Sequence, residues 1–407
     1  MLGKLKQSIN YNDMQEMNRY LIIKLLMQLG VCSRVELSKL SGLKQATITN
    51  IINDFIKIGL VSEIGSKNGS KGRRSIAISL NSDRYKFIGV RLTRKYISIG
   101  LFDIIGKHYF LNKYKFDVND GVKNTLHIIE NAVYDVLDKY SKDNILAIGI
   151  TLPGPFIRTT GTISVNEFPG WEQVLVEEYF NNVFKIPVFF EHDAKAGVMA
   201  GWYLNKYNNT NKTFAYIIAG HGIGVGVIVD GKLIRGSTGT FGELGHTSIN
   251  FDGPLCQCGN RGCLENYCST ISLSRRIKKR LASGETSNLK YDFEFFDIVD
   301  AYKNKDPIVC EEINKNTEYL SIGIINLVNL VNPDVIVIGD EMVHFGDDFL
   351  ITLKENIKNR IMPDLYDNLD IRLGSKYDDE VLVGASIVAI EAILREGLLL
   401  NKISKII

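Results

Sequence analysis

Nowhere in its 407 residues does the chain hold an apolar run approaching the roughly 18 uncharged residues that a membrane-spanning helix requires. Its first residues, Met1-Leu-Gly-Lys-Leu-Lys6, lack the apolar core and small-residue cleavage site of a secretory signal. Cysteine is scarce. Three of the six, Cys32, Cys268 and Cys310, are scattered along the chain, which argues against a disulfide framework. These absences point to a soluble protein of the reducing cytoplasm. Net charge is also close to absent, at +2, but its distribution is uneven. Residues 1–82 hold twelve Lys/Arg against five Asp/Glu, a surplus of seven, so the remainder carries −5. A small basic unit joined to a larger acidic one suggests nucleic-acid binding at one end and a different task at the other.

What is present is an ordinary globular composition, 45% apolar and 23% charged. The length implies two or three domains. From Tyr11 to Leu29, the residues Met17, Leu21, Ile22, Leu25, Leu26 and Leu29 recur at helical spacing, and Gly30 stops the run. Ser33-Arg-Val-Glu36 has the form of a capping box and opens a short helix through Val35, Leu37 and Leu40. After the turn Ser41-Gly42-Leu43, a third helix is expected from about Lys44 to Lys57, burying Ile48, Ile51, Ile52 and Phe55. Two helices joined by so short a glycine-containing turn make a helix-turn-helix. Lys44, Gln45, Thr47, Thr49, Asn50 and Asn53 face outward on the third helix, able to bond base edges or phosphates. Residues 60–64 and 75–80 alternate like strands. The loop between them, residues 65–74, carries Lys67, Lys71, Arg73 and Arg74 and no acid, as a DNA-contacting wing would. A helical protein-interaction unit with a solvated basic loop is the alternative.

Beyond residue 82 strands alternate with helices. Strands are expected at 87–90, 96–103, 145–152, 188–191, 214–219, 225–229 and 335–338, and helices near 122–140, 171–184, 270–283, 310–330 and 382–399. This is an α/β pattern. Asp193 ends a strand in such a layer, a usual place for a ligand-facing acid, though a helix N-cap is the plainer role. Gly220-His-Gly-Ile-Gly-Val-Gly226 has glycine at every second position. Such a backbone permits close approach to a phosphate or sugar, or forms a plain hairpin.

The densest chemistry lies in 242–265. Cys256, Cys258 and Cys263 fall within eight residues, His246 stands ten residues before the first of them, and Glu243 and Glu265 bracket the group. Three thiolates and an imidazole make a tetrahedral set for one structural zinc. Gly253, Gly259 and Gly262 allow the tight turns that bring the ligands together. A disulfide, or free thiols in a loop, is the alternative. Glu243 and Glu265 are candidate ligand contacts or ordinary surface acids.

With these residues assembled, the chain resembles the ROK family. The closer likeness is to its transcriptional-repressor branch, which includes xylose repressors and regulators of glucose and N-acetylglucosamine use. Glu243-x-x-His246 followed by Cys256-x-Cys258-Gly-x-x-Gly-Cys263-Leu-Glu265 matches the family signature without a gap. Gly42-Leu43-Lys44 and Gly72-Arg73-Arg74 match phrases of its DNA-binding unit. The resemblance implies a winged helix-turn-helix (1–82) and a two-lobed, actin-like, sugar-kinase-type α/β body (83–200 and 201–407), the second lobe carrying the zinc segment and a closing C-terminal helix. It implies zinc on His246, Cys256, Cys258 and Cys263, and sugar contacts from Asn166, Asp193, Glu243, His246 and Glu265. Asp193 falls where the family's kinases keep their base.

The departures bear on activity. Arg91-Leu-Thr-Arg-Lys95 replaces the kinases' Asp-x-Gly-Gly-Thr phosphate cradle, His221 replaces a threonine, His192 an asparagine, and Asp340 a glycine. Phosphoryl transfer is mostly positioning and charge stabilisation of phosphates, so a body without that cradle is expected to bind sugar and not to act as an enzyme. The expected function is a sugar-responsive DNA-binding regulator, a repressor of carbohydrate-utilisation genes. It is expected to act as a homodimer on duplex DNA, reading through Lys44, Gln45, Thr47, Thr49, Asn50, Lys71, Arg73 and Arg74. The alternatives are an active ATP-dependent sugar kinase carrying a DNA-binding unit, and a repressor controlled by a protein partner.

Overall fold

The structure, a computed structural model, describes residues 11–68, 74–154, 156–157, 160–163, 170–171, 174–204 and 213–395. α1 (Tyr11–Leu29) buries Ile22, Ile23, Leu26 and Met27, while Met17, Leu21 and Leu29, counted above in its apolar stripe, are exposed. Gly30 ends it with φ +67°, a conformation that costs glycine little. The short strand β1 (Cys32–Ser33) leads into α2 (Arg34–Ser41) through the expected capping box. The Glu36 amide donates to Ser33 Oγ at 3.2 Å and the Ser33 amide donates to Glu36 Oε2 at 2.7 Å. Only Leu37 of α2 is buried; Val35 and Leu40 are exposed. α3 (Gln45–Lys57) buries Ile48, Ile51, Ile52 and Phe55. β2 (Val61–Asn68) and β3 (Arg74–Leu80) pair antiparallel, and β1 pairs with the far edge of β3. Both strands outrun the expected 60–64 and 75–80, so ladder pairing extends into part of the basic stretch.

Two five-stranded mixed sheets follow. The first contains β4 (Lys86–Leu92), β5 (Tyr96–Asp103) and β6 (His108–Lys115); then, after α4 (Val122–Lys139), β7 (Ile145–Leu152). A ribbon of β8 (Phe156–Ile157) and β9 (Thr162–Ile163) precedes α5 (Val176–Val183), β10 (Val188–His192) and α6 (Asp193–Tyr203). The order is β10-β7-β4-β5-β6, with β10, β7 and β4 parallel. The helix expected from about Trp171 starts only at Val176. Trp171 is 1% exposed and anchors the outer core ahead of the helix rather than forming its first turn. β6 carries mostly exposed side chains at a sheet edge and was not foreseen.

The second sheet contains β11 (Phe214–Ala219), β12 (Ile223–Val229) and β13 (Lys232–Leu233). α7 (Glu265–Cys268), α8 (Thr270–Ala282), α9 (Phe295–Lys303) and α10 (Pro307–Val331) then lead to β14 (Val335–Gly339). α11 (Asp347–Lys358), α12 (Pro363–Tyr366), β15 (Asp370–Leu373) and α13 (Glu380–Arg395) complete the described chain. The order is β13-β12-β11-β14-β15.

α13 lies on the first sheet and α6 on the second, and the two helices pack on each other. Glycine makes this layering possible. A Cβ at Gly149 would meet Ala385 O at 1.8 Å, one at Gly226 would meet Ala194 O at 2.2 Å, and one at Gly384 would meet Ala196 O at 2.1 Å. The central core is therefore shared by both sheets, α6, α13 and the N-terminal helices. The division expected between residues 200 and 201 falls inside α6, which takes part in this shared core.

Candidate functional site

A cavity of about 870 Å³ opens between the two sheets. Asp193, Glu243, His246 and Glu265 all line it, so four of the five expected sugar contacts converge from three separate segments. The fifth, Asn166, lies outside the described residues.

Each is held by its element. Asp193 opens α6 just beyond the end of β10, and its Oδ1 accepts from the Ala194 amide at 2.6 Å. Burial, which opposes the charged form, raises its pKa to about 6, against the pull of Arg91. His192 Nε2 lies 3.2 Å from Asp193 Oδ1; burial lowers the His192 pKa to about 3, so this is a neutral imidazole beside an acid and not an ion pair. Glu243 precedes a single 3-10 turn (Leu244–His246). Its Oε1 is buried without a hydrogen-bond partner, and burial raises its pKa to about 7, with Lys195 opposing the shift. Glu265 opens α7, and its Oε2 accepts from the Ile223 amide at 3.0 Å.

The metal-ligand candidates form one cluster. A single ligand atom from each of His246, Cys256, Cys258 and Cys263 lies within 4.8 Å of every other. Cys256 Sγ is 3.7 Å from His246 Nδ1, and Cys258 Sγ is 3.6 Å from Cys263 Sγ. Tetrahedral zinc with S and N ligands has ligand–ligand edges of about 3.3–3.8 Å, so the donor set fits such an ion in kind, and these two contacts fit it in spacing. The bridges Ser248–Cys263 and Leu255–Arg261 fold the segment back on itself. Gly259 and Gly262 supply φ of +91° and +65°. Gly253 does something else: a Cβ there would strike Tyr267 Oη at 2.3 Å. Cys263 is followed by Leu264 and Glu265, so the loop that gathers the thiols also sets the start of α7.

The glycine-rich stretch divides in two. Gly220 and Gly222 form the turn between β11 and β12, whereas Gly224 and Gly226 lie inside β12 and admit the first turn of α6, meeting His192, Ala194 and Val198.

Arg91 lines the same cavity. Its Nη1 is 2.9 Å from Asp379 Oδ1 and its Nη2 is 2.9 Å from Asp340 Oδ1, which ties β4 to the residue after β14 and to the start of α13. Burial disfavours the Arg91 charge, but Asp340 and Asp379 outweigh it and hold its pKa well above the ordinary value. Asp340 adopts φ +68°, ψ −148°, a region occupied almost only by glycine. Beside it, His221 Nε2 is 3.4 Å from Glu341 Oε1, and Thr270 Oγ1 donates to Glu341 at 2.5 Å. Arg94 and Lys95 line the same end. The roles of Asp340 and Asp379 as partners of Arg91 are not legible in the sequence, because both lie far away along the chain. Lys195, 1% exposed, and Arg235, paired with Glu191 at 3.0 Å, were also unforeseen.

Among the expected DNA contacts, Lys44, Gln45, Thr49 and Asn50 are exposed at the start of α3 and Thr47 is half-buried. Thr49 Oγ1 donates to Gln45 O at 2.9 Å, so its hydroxyl proton is already used within the helix. Lys71 and Arg73 lie outside the described residues, and of Arg74 only the backbone, at the start of β3, is described.

No helix among the described residues is long and apolar enough to cross a membrane. The family model described as "ROK family" matches residues 87–392. The chain is 31% identical over 397 residues to the xylose repressor of Caldicellulosiruptor bescii, covering 95% of this chain and 98% of that one. A crystal structure of a ROK family transcriptional regulator, a homologue of the E. coli MLC protein, superposes with a TM-score of 0.79 at 25% identity, over 96% of this chain and 99% of that one. The ROK hexokinase of Thermus thermophilus shares the fold of the body, with a TM-score of 0.61 at 24% identity over 76% of this chain and 99% of that one.

Proposed function

The chain belongs to the ROK family, and from that membership we propose that it is a sugar-responsive DNA-binding repressor of carbohydrate-utilisation genes. Residues 1–82 form its winged helix-turn-helix, with α3 entering the major groove and the β2–β3 hairpin as the wing. Lys44, Gln45, Thr47, Thr49 and Asn50 on α3, and Lys71, Arg73 and Arg74 on the wing, contact the operator. Two copies bind as a homodimer on an inverted repeat. Residues 83–200 and 201–407 are the two lobes of the body, and sugar binds between them on Asn166, Asp193, Glu243, His246 and Glu265.

His246, Cys256, Cys258 and Cys263 hold one structural zinc. When bound, it supplies no chemistry beyond fixing the loop and keeping the His246 imidazole neutral. With Nδ1 turned toward Cys256, the Nε2 proton is left to donate to a sugar oxygen.

One observation carries the choice of sensor over kinase. The acids that would hold a sugar are gathered, with Glu243 Oε1 lacking a partner, while the Arg91 guanidinium, tied to Asp340 and Asp379, replaces an open phosphate cradle. Asp193 then contacts a sugar hydroxyl without serving as the base for its phosphorylation. Sugar binding releases the operator by favouring one arrangement of the lobes over the other.

The test uses D-xylose, D-glucose and N-acetyl-D-glucosamine, with a DNA duplex that the purified protein selects from a random pool. At least one sugar is expected to raise the melting temperature and weaken binding to the duplex, and none is expected to be phosphorylated by ATP. Turnover at about 1–100 s⁻¹, the ordinary kinase range, would overturn the sensor reading. DNA binding that no sugar alters would favour control by a protein partner.

A further inference from the structure

The sensor reading leaves open how a cleft in the body reaches α1, the first helix of the DNA-binding unit. Two helices run between them. α6 starts at Asp193 in the cavity and ends at Tyr203, eleven residues and about 16 Å further on. α13 starts beside Asp379, the partner of Arg91, and carries Glu391 and Arg395 in its last turns. The two helices pack with almost no free space, since a Cβ at Gly384 would lie 2.1 Å from Ala196 O. Interfaces this close repack in discrete steps and do not slide continuously.

Where both helices end, they meet one face of α1. Tyr20 and Lys24, one helical turn apart, project from it together. Tyr20 Oη donates to Glu391 Oε1 and lies 3.4 Å from Tyr203 Oη. Lys24 Nζ donates to Tyr203 Oη at 3.3 Å and stands 4.5 Å from the centre of the Tyr203 ring. Arg395 Nη2 donates to Glu391 Oε1 at 2.9 Å. Glu391 is 6% exposed and Tyr203 7%. Around this polar cluster lies the apolar core that α1 shares with α6 and α13, including Ile22, Ile23, Met199, Trp202 and Val388. Apolar packing alone would hold α1 against the body. Directional bonds in a dry setting add a preferred seating, because a shifted α1 breaks the Tyr20–Glu391 and Lys24–Tyr203 bonds where water does not replace them.

We propose that the cluster of Tyr20, Lys24, Tyr203 and Glu391 is the coupling joint of the sensor, through which the packed pair α6 and α13 passes the state of the sugar cleft to α1. The inference rests on the sugar-sensing reading. It assigns these four residues a role in regulation and none in contacting sugar or DNA. A cluster that serves only as glue would contribute equally to the sugar-bound and sugar-free states. A coupling joint contributes unequally, and removing it shrinks the difference between them.

Full-length wild type, Tyr20→Phe, Glu391→Gln and the double variant would be compared. The probe is whichever of D-xylose, D-glucose and N-acetyl-D-glucosamine gives the largest thermal shift, together with the selected DNA duplex. Calorimetry gives sugar Kd without DNA; fluorescence anisotropy gives duplex Kd with and without saturating sugar. The expected result is sugar Kd within about twofold of wild type, with the effect of sugar on duplex Kd reduced at least about fivefold, the low end of typical allosteric coupling. Should Glu391→Gln fail to fold, as judged by its melting curve, Tyr203→Phe removes one hydroxyl and is read in the same way. Folded variants whose duplex affinity responds to sugar as fully as wild type would overturn the joint and leave the sensor reading standing. A wild-type protein whose DNA binding no sugar changes would overturn the sensor reading, and the joint with it.

Discussion

Glu243 is the most sharply perturbed of the acids that border the metal-ligand motif. Its Oε1 is buried with no donor, and burial raises its pKa to about 7. A sugar hydroxyl would supply that donor, and it bonds the ionised carboxylate more strongly than the neutral acid. Sugar affinity is therefore expected to fall as pH drops from 8 to 6, approaching tenfold per unit well below the pKa at most. Stability has the opposite sign. The folded-state value, about 7, lies above the ordinary 4.5 of a glutamate, so the folded chain holds this proton more tightly than the unfolded one. The resulting stabilisation is complete below about pH 4.5 and is lost as pH rises through 7. Glu243→Gln cannot ionise. It should flatten the pH dependence of sugar binding, weaken that binding, and melt about 1–2 °C above wild type at pH 8 if the buried charge costs about 1 kcal/mol. Calorimetry at pH 6, 7 and 8 with parallel melting curves checks this; a Glu243→Gln variant with the wild-type pH slope would assign the titration to another group. Asp193, with a pKa raised to about 6, is the first to examine in that event. Glu243 and Glu265 could be singled out in the sequence because they border the metal-ligand motif. The Glu243 environment could not, because Lys195, which opposes its shift, comes from α6, far away in the chain.

At the scale of elements, the segment from Glu243 to Cys268 joins two tasks in one loop. His246 belongs to the metal cluster and also lines the cavity, and Cys263 is two residues from Glu265. If zinc fixes the loop, losing one thiolate loosens the acids as well. Purified wild type is expected to carry one zinc per chain by elemental analysis. Cys258→Ser is expected to retain well under half of that and to melt at least about 5 °C lower, since structural zinc contributes directly to folding free energy. It should also bind sugar more weakly, although Cys258 itself is exposed. A Cys258→Ser protein with full zinc and an unchanged melting curve would remove Cys258 from the ligand set. The ligand cluster was legible because all four residues lie within eighteen positions of one another. Elements with strong local signals were legible for the same reason: the Ser33 capping box, the fully buried β7, and α4. β6 was not, because an exposed edge strand shows no buried alternation. Nor was the role of Gly224 and Gly226, since their reason for being small is a helix that folds onto them from outside the hairpin.

Over the whole molecule, Arg91 does what no local pattern could announce. It joins β4 in the first sheet to Asp340 after β14 in the second and to Asp379 before α13, partners 249 and 288 residues away. Asp340 accepts a backbone with φ +68° that costs of order 1–3 kcal/mol, offset by its bond to Arg91. Arg91 and Asp340 are thus coupled through one bond, and their energetics should be non-additive. Arg91→Met leaves two acids facing each other and is expected to destabilise the chain by about 2–4 kcal/mol, toward the lower end because Asp340 and Asp379 are partly exposed. Asp340→Gly alone removes one bond of the pair but also the strain, so its cost should be smaller. Adding Asp340→Gly to Arg91→Met should recover stability, because the unpaired acid and the strained backbone disappear together. Denaturant titrations of the four proteins, read as a double-mutant cycle, give the coupling directly. A coupling within about 0.5 kcal/mol of zero, the range of independent sites, would mean that the Arg91–Asp340 bond does not hold the two sheets together.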